Sequence, residues 1–450
     1  MQLRFWGTRG SIATPGKGTI HFGGNTSCVE MITNAGLRLI FDCGTGARLL
    51  GEHLIASAPK PISATIFLSH THWDHIQGFP FFAPLFVPGN QFTIYAPEDC
   101  HRSLADVLAG QMEYTYFPVE LNQLGAEITY RDLMEGSYDI DGVRIHTQYM
   151  NHPAVAIGYR IEVDGVSVLY LCDHEPYSAK LWREQAEAGR VASISDINDR
   201  RHASFMAGAD VLIHDAQYTP EEYPAKKNWG HSPYDYVVQL AAAAGVEKLF
   251  LTHHDPSHDD QFLADMEQRA RAIAQQSGSK IEVSCAWEGC EEVVQPRHRG
   301  MRRFAAANPD GVTQFRACGL HILIVDDEED LRILAGRALR QAGHEIAEAA
   351  GGAEALAMIE KRIPDLVVLD QVMPFPDGVE VLRRLRSQPE TATLPVVVLM
   401  PPGTEGRPDS IADVDATDFL NKPFTPPQLN ARVRAFFERI PNTAKPAGVQ

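Results

Sequence analysis

His70-Thr71-His72-Trp73-Asp74-His75 puts three imidazoles and a carboxylate into six residues, directly after the apolar run Ala64-Thr65-Ile66-Phe67-Leu68. Four good metal ligands are costly to hold so close together unless a cation organises them. The spacing also divides them: His70 and His72 can converge on one ion while Asp74 and His75 turn toward a second. Two adjacent divalent ions can hold a hydroxide between them at neutral pH, so the string points to hydrolysis.

Working outward, further candidate ligands stand just past apolar strand patterns, where packed sheets commonly carry their sites. His152 lies in Tyr149-Met150-Asn151-His152-Pro153. Asp173 follows Val168-Leu169-Tyr170-Leu171-Cys172, and His253 follows Lys248-Leu249-Phe250-Leu251-Thr252. His146 competes with His152 but falls inside a strand pattern. His254 competes with His253, and strand-end register favours His253. Cys172 reads as packing. A second pair is Asp215, closing Leu212-Ile213-His214, and His231, in Trp229-Gly230-His231-Ser232 at the opening of a helix pattern. An Asp–His couple fixes the imidazole tautomer and raises its basicity, which makes a useful general acid. The plainer alternative is that His231 only caps or packs the helix.

At 450 residues the chain exceeds one ordinary core, and its 44% hydrophobic and 22% charged residues are those of a folded globular protein. No apolar run is long enough to span a bilayer. Met1-Gln2-Leu3-Arg4-Phe5-Trp6 reads as a first strand rather than a signal peptide. Seven scattered cysteines without a Cys-x-x-Cys pair fit a reduced cytoplasm. A formal charge of −18 argues against extended nucleic acid as a partner. A small anionic substrate stays open, because metal ions supply their own positive charge.

Residues 1–295 alternate β-rich segments with turn clusters; strands are expected at 29–33, 37–42, 65–69, 92–96, 143–149, 157–163, 166–171, 210–214 and 248–252. A helix over 235–245 is closed by Gly245. Residues 296–319, where Pro296, Arg297, Arg299, Arg302, Arg303 and Arg316 surround Asn308-Pro309-Asp310-Gly311, read as an interdomain linker. From 320 to 440 apolar runs at 322–325, 366–369 and 396–399 alternate with helix patterns at 330–342, 352–361 and 377–386. That rhythm predicts a parallel sheet covered on both faces, with 441–450 as a flexible tail.

The His-x-His-x-Asp-His string, with His152, Asp173 and His253 following in order, resembles the metallo-β-lactamase superfamily of dinuclear metal hydrolases over residues 1–295. Within it the similarity is to the phosphodiesterase branch, which includes RNase Z. The resemblance implies a four-layer α/β/β/α sandwich with metals at the sheet edges. It implies one metal on His70, His72 and His152, a second on Asp74, His75 and His253, and Asp173 as the bridge. Asp42 would orient the ligand loop from behind, and Asp215 with His231 would assist the leaving oxygen beside the catalytic Asp74. Zinc suits these ligands, and manganese and iron are compatible with them.

In the second region, Asp326-Asp327 close one strand, Asp370 closes another, and Lys422 stands in Phe419-Leu420-Asn421-Lys422-Pro423. Three carboxylates and a lysine at strand ends suit magnesium-assisted phosphoryl transfer. The acids hold the cation, Asp370 is the nucleophile, and Lys422 pairs with the phosphoryl group. Residues 320–440 resemble response-regulator receiver domains, which implies a flavodoxin-like (βα)5 fold and a histidine kinase or phosphotransfer protein as partner. One departure is Met400, where receivers usually carry Thr or Ser; a thioether cannot donate a hydrogen bond to phosphate.

The resulting expectation is a cytoplasmic dinuclear metallohydrolase, a phosphodiesterase acting on a small nucleotide-like substrate, cyclic nucleotides included. Its receiver would bias activity or self-association as a homodimer. A lactone or thioester hydrolase and a non-enzymatic signalling adaptor are the alternatives.

Overall fold

The computed structural model describes residues 1–97, 102–178, 181–182, 189–296, 320–341, 344–401, 418–422, 424, 428–429 and 432–433. Two compact units span Met1–Ala306 and Ala307–Gln450. The expected linker at 296–319, except Pro296, and the expected tail at 441–450 lie outside the described residues.

The first unit is built on two seven-stranded sheets. One runs β14 (Glu291–Val293), β1 (Gln2–Gly7), β2 (Cys28–Ile32), β3 (Arg38–Phe41), β4 (Ser63–Phe67), β5 (Gln91–Pro97), β6 (Glu127–Leu133). The other runs β13 (Glu282–Cys285), β12 (Lys248–Thr252), β11 (Val211–Asp215), β10 (Val166–Leu171), β9 (Ile157–Val163), β8 (Val143–Tyr149), β7 (Gly136–Ile140). Strand pleating explains their apolar sequences. In β3, Leu39 and Phe41 enter the core between the sheets, while Ile40 enters the core beneath the helices. Both faces are covered, so such strands read as continuous apolar runs rather than as alternation.

Helices α1 (Gly46–Ser57), α2 (Trp73–Ile76) and α3 (Leu104–Gln111) belong to the first half. Helices α4 (Ile197–Met206), α5 (Tyr234–Ala243) and α6 (Asp260–Gln276) belong to the second, where α5 and α6 lie on the sheet. The result is the expected α/β/β/α sandwich. Tyr159 ties the halves together, its hydroxyl donating to the carbonyl of Leu68 at 2.6 Å, just before the histidine string.

Pairing direction decides where the site falls. β3 and β4 are parallel, as are β10, β11 and β12. β8 is antiparallel to β9 and β9 to β10, so β8 runs with β10. Within each sheet these carboxyl ends therefore share one edge. The expected strand 65–69 ends at Phe67 instead, because the amide and hydroxyl of Ser69 bond to Asp42 rather than to a neighbouring strand.

The second unit is a five-stranded parallel sheet in the order β16 (Glu345–Ala349), β15 (His321–Val325), β17 (Leu366–Asp370), β18 (Val396–Met400), β19 (Asp418–Asn421). With α7 (Glu329–Gln341), α8 (Gly352–Lys361) and α9 (Gly378–Ser387) it forms apolar clusters on both faces. Beyond β19, the described residues 428–429 and 432–433 are helical, and Leu429 and Val433 join one of these clusters.

One buried acid makes this fold pH-sensitive. Asp199 in α4 accepts from the Tyr236 hydroxyl of α5 at 2.8 Å and from the Tyr177 amide at 3.0 Å, and burial raises its pKa to about 7. An unfolded aspartate titrates near ~3.9, so between these values only the folded chain keeps the proton. The group's contribution to stability is full below that lower value and is lost as pH rises through about 7. In urea titrations Asp199→Asn should therefore gain on wild type as pH rises from about 4 to 7, the window set by the two pKa values; a constant difference across it would contradict a protonated Asp199.

Candidate metal centre

The shared strand edges gather the polar residues of the first unit. Asp42 follows β3, the histidine string follows β4, His152 follows β8, and Asp173 follows β10. Asp215 ends β11, and His253 follows β12. His70, His72, His152 and Asp173 bring ligand atoms within 4.8 Å of one another, and so do His75, Cys172, Asp173 and His253. Asp173 belongs to both groups. Its Oδ2 lies 3.4 Å from His70 Nε2 and 3.8 Å from His152 Nε2; its Oδ1 lies 3.3 Å from His75 Nε2 and 3.2 Å from His253 Nε2. Asp74 Oδ2 closes the second group, 3.0 Å from His253 Nε2 and 3.3 Å from His75 Nε2.

These donors fit a pair of cations. His70 Nε2 and Asp173 Oδ1 are buried without a hydrogen-bond partner, a costly condition for polar atoms. Burial holds His70 and His72 below the ordinary imidazole range and pushes His152 down to about 4, whereas for His75 burial is outweighed by the charges of Asp74, Asp173 and Asp42, which hold it well above that range until a cation takes the proton's place. Neutral imidazole is the ligating form. Three rings are also aimed alike: Nδ1 of His75, His152 and His253 faces Asp42 Oδ2 at 2.7 Å, the Gly230 carbonyl at 3.1 Å and Gln217 Oε1 at 3.1 Å. Each Nδ1–H is thereby fixed, leaving Nε2 toward the cluster.

Asp42 is the hub behind the ligand loop. Besides His75, it accepts from the Ser69 amide at 2.6 Å, the Ser69 hydroxyl at 2.8 Å and the Tyr170 hydroxyl at 2.6 Å. Asp42, Asp173 and His253 all adopt left-handed backbone, with φ of 59, 57 and 63°. Non-glycine residues rarely do so, at a cost of about 1–3 kcal/mol each, and such strain gathers at functional sites.

His254 turns away, its Nε2 donating to the Ala286 carbonyl at 2.9 Å. His146 stays in β8, facing Ser137 at 2.6 Å and Glu162 at 3.7 Å. Cys172, expected only to pack, has its sulfur among the second group, although burial holds the thiol well above its usual pKa. Ser11, whose amide donates to Asp74 Oδ2 at 2.7 Å, and Gln217 escaped the sequence reading. Gln217 lies two residues beyond Asp215, and only that proximity could have marked it.

His231 Nδ1 lies 3.3 Å from Asp215 Oδ2, and its ring centroid is 4.8 Å from that of His253. Asp215 is fixed by the amides of Ser232 at 3.1 Å, His174 at 3.2 Å and Gln217 at 3.1 Å. The helix starts three residues later, at Tyr234, with Pro233 at its N-cap, so His231 does not cap it. Burial opposes a charge on His231, but Asp215 and Asp173 outweigh it and raise the pKa to about 9.

In the second unit, Asp326, Asp327 and Asp370 bring carboxylate oxygens within 4.8 Å of one another. Lys422 Nζ lies 2.9 Å from Asp326 and 3.1 Å from Asp370. Burial, then the charge of Asp326, raises Asp370 to about 6 against the pull of Lys422. Met400, buried, ends β18 beside this cluster of strand ends.

The fold and these two sites define a metal-binding sandwich joined to a phosphoacceptor module. Residues 37–254 match the beta-lactamase superfamily domain and residues 322–434 the response regulator receiver domain. The chain therefore carries a domain of the beta-lactamase superfamily in its N-terminal part and a response regulator receiver domain after it. That fold implies a dinuclear metal site, and the receiver implies phosphotransfer from a histidine kinase.

The chain is 26% identical to ribonuclease Z of Exiguobacterium sibiricum over 283 residues, 56% of this chain and 88% of that protein. It is 40% identical over 121 residues to the phosphate regulon transcriptional regulatory protein PhoB of Pseudomonas aeruginosa, 27% of this chain and 53% of that protein. The chain thus spans about half the length of the first curated relatives it matches. Among solved structures, the metallo-beta-lactamase fold protein YhfI from Bacillus subtilis aligns with a TM-score of 0.45 and 16% identity, covering 65% of this chain and 98% of that one. No described helix is long and apolar enough to cross a membrane.

Replacing a group that orients ligands without binding metal typically costs ~10–100-fold in metal affinity. Asp42→Ala should weaken metal binding by about that factor in chelator competition, whereas His254→Ala should leave the bound-metal count unchanged. Equal affinity in Asp42→Ala and wild type would contradict the role of Asp42.

Proposed function

We propose that the N-terminal domain is a dinuclear metal-dependent phosphodiesterase acting on a small nucleotide-like substrate, under the control of phosphorylation at Asp370. The observation that carries this reading is the Asp215–His231 couple beside the histidine–aspartate cluster. His70, His72 and His152 would hold one metal, Asp74, His75 and His253 the other, and Asp173 both. Zinc is the favoured ion for this donor set. When bound, such a pair supplies a nucleophile at neutral pH and neutralises charge on the phosphoryl oxygens.

The protein's own contribution is positioning and proton transfer. Asp42 and Gln217 keep Nε2 of His75 and His253 directed at the cluster. Asp215 accepts the Nδ1–H of His231, so the proton available for the departing oxygen sits on Nε2. A lactone or thioester would need this acid less, and no specific observation favours those substrates or a purely scaffolding role.

In the receiver, Asp326 and Asp327 would hold magnesium, and Lys422 would pair with the phosphoryl group on Asp370. The partner would be a histidine kinase or phosphotransfer protein. Among the described residues Cys28, Cys43, Cys172, Cys285 and Cys290 are buried and free, which supports a reducing, cytoplasmic setting.

Metal-loaded protein should hydrolyse bis-p-nitrophenyl phosphate. A positioned acid contributes roughly 100- to 10,000-fold where the leaving group needs a proton. His231→Ala should therefore slow a diester with an alkoxide leaving group by about that factor, and affect p-nitrophenolate release far less. Absence of turnover on any phosphodiester with two metals bound would overturn the reading. Acetyl phosphate should change the rate of wild type and not of Asp370→Ala; equal rates in all four conditions would exclude receiver control.

A further inference from the structure

The chain has five tryptophans. Trp6 is buried, and Trp182 and Trp287 are partly buried against the core. The other two, Trp73 at 75% exposure and Trp229 at 57%, are the ones adjoining the metal centre. Trp73 stands inside the histidine string, between His72 and Asp74. Trp229 precedes Gly230 and His231. Both border the same ligand: His72 Nδ1 lies 3.2 Å from His152 Nε2, and the Gly230 carbonyl lies 3.1 Å from His152 Nδ1. His72 is itself exposed, so this is the open side of the cluster.

The Trp229 segment is built to stay in place. Glu175, buried, accepts from the amide of Asn228 at 2.7 Å, the amide of Gly230 at 2.9 Å and the hydroxyl of Tyr223 at 3.1 Å. Gly230 has a φ of 88°, and a Cβ there would overlap His152 Nδ1, so only glycine lets the backbone approach so closely. Lys226 Nζ lies over the Trp229 ring, 4.2 Å from its centroid. In a chain of formal charge −18 this brings an aromatic face and a cation together beside the cluster.

Large indole surfaces left in water at the mouth of a site are otherwise unfavourable, and they point to a planar ligand. We propose that Trp73 and Trp229 are stacking platforms for the nucleobase of the substrate, with Lys226 beside its phosphate, so that the substrate class is a mononucleotide-sized phosphodiester. This deepens the phosphodiesterase reading and rests on it for the bond that is cut. Stacking on an aromatic side chain tolerates any base, so the platforms select for the presence of a base rather than its identity.

Calorimetric titration of the metal-loaded full chain with adenosine 5′-monophosphate and with ribose 5-phosphate tests the proposal. Wild type should bind the base-bearing probe more tightly by roughly 5- to 100-fold. Trp229→Ala and Trp73→Ala should each lower that ratio, and Trp229→Phe should retain most of it. Both side chains are largely exposed, so the variants should fold, and an unchanged metal count would verify it. Equal affinity of wild type for the two probes, or a ratio untouched by both alanine variants, would overturn the platforms. A high ratio that falls in the variants, without turnover of any phosphodiester, would support the platforms while removing the phosphodiesterase reading.

Discussion

Asp173 is the constraint on which the first domain depends. One carboxylate has to face two groups of imidazoles at once, and it does so from a left-handed residue at the end of β10. β10 can present it there only because β11 and β12 run parallel to β10, while β8 returns in the same direction through β9. The order of strands is thus a device for bringing His152, Asp173, Asp215 and His253 to one edge. The facing sheet contributes the histidine string in the same way, and Asp42 and Tyr170 join the two across the core by their 2.6 Å hydrogen bond. The cost of crowding carboxylates and strained backbone at this edge is offset by the three apolar clusters of the sandwich.

The receiver repeats the logic with different chemistry. Parallel strands bring acids to one edge, and Lys422 spans Asp326 and Asp370 as an internal cation. What differs is the readout. Met400 supplies no hydroxyl at the end of β18, so any signal from Asp370 must travel by packing or through other groups. Phe419, in β19, packs partly buried against the same apolar cluster as Met400.

Much of this was legible because ligand chemistry and strand periodicity are both local. β8, β9, β10 and β12 fall where alternation and apolar runs put them, and the proposed ligands stand just beyond strand ends, Asp74 and His75 within the short helix α2. The choice of His253 over His254 followed from register alone, and the two rings do face opposite ways. The edge strands β6 and β7 were missed, since their half-exposed residues carry little apolar signal. Also hidden were Glu175, Gln217 and Ser11, whose roles arise from long-range approach and from backbone conformation. Spacing along the chain carries no trace of either. The tryptophan inside the string was in plain view, but its meaning depends on Trp229, far away along the chain.

The most direct test of the central claim is anomalous scattering from crystals of the metal-loaded protein. Two metal peaks are expected, about 3.5–4 Å apart, one on each side of the Asp173 carboxylate. A single peak, or two peaks that do not share Asp173, would contradict it.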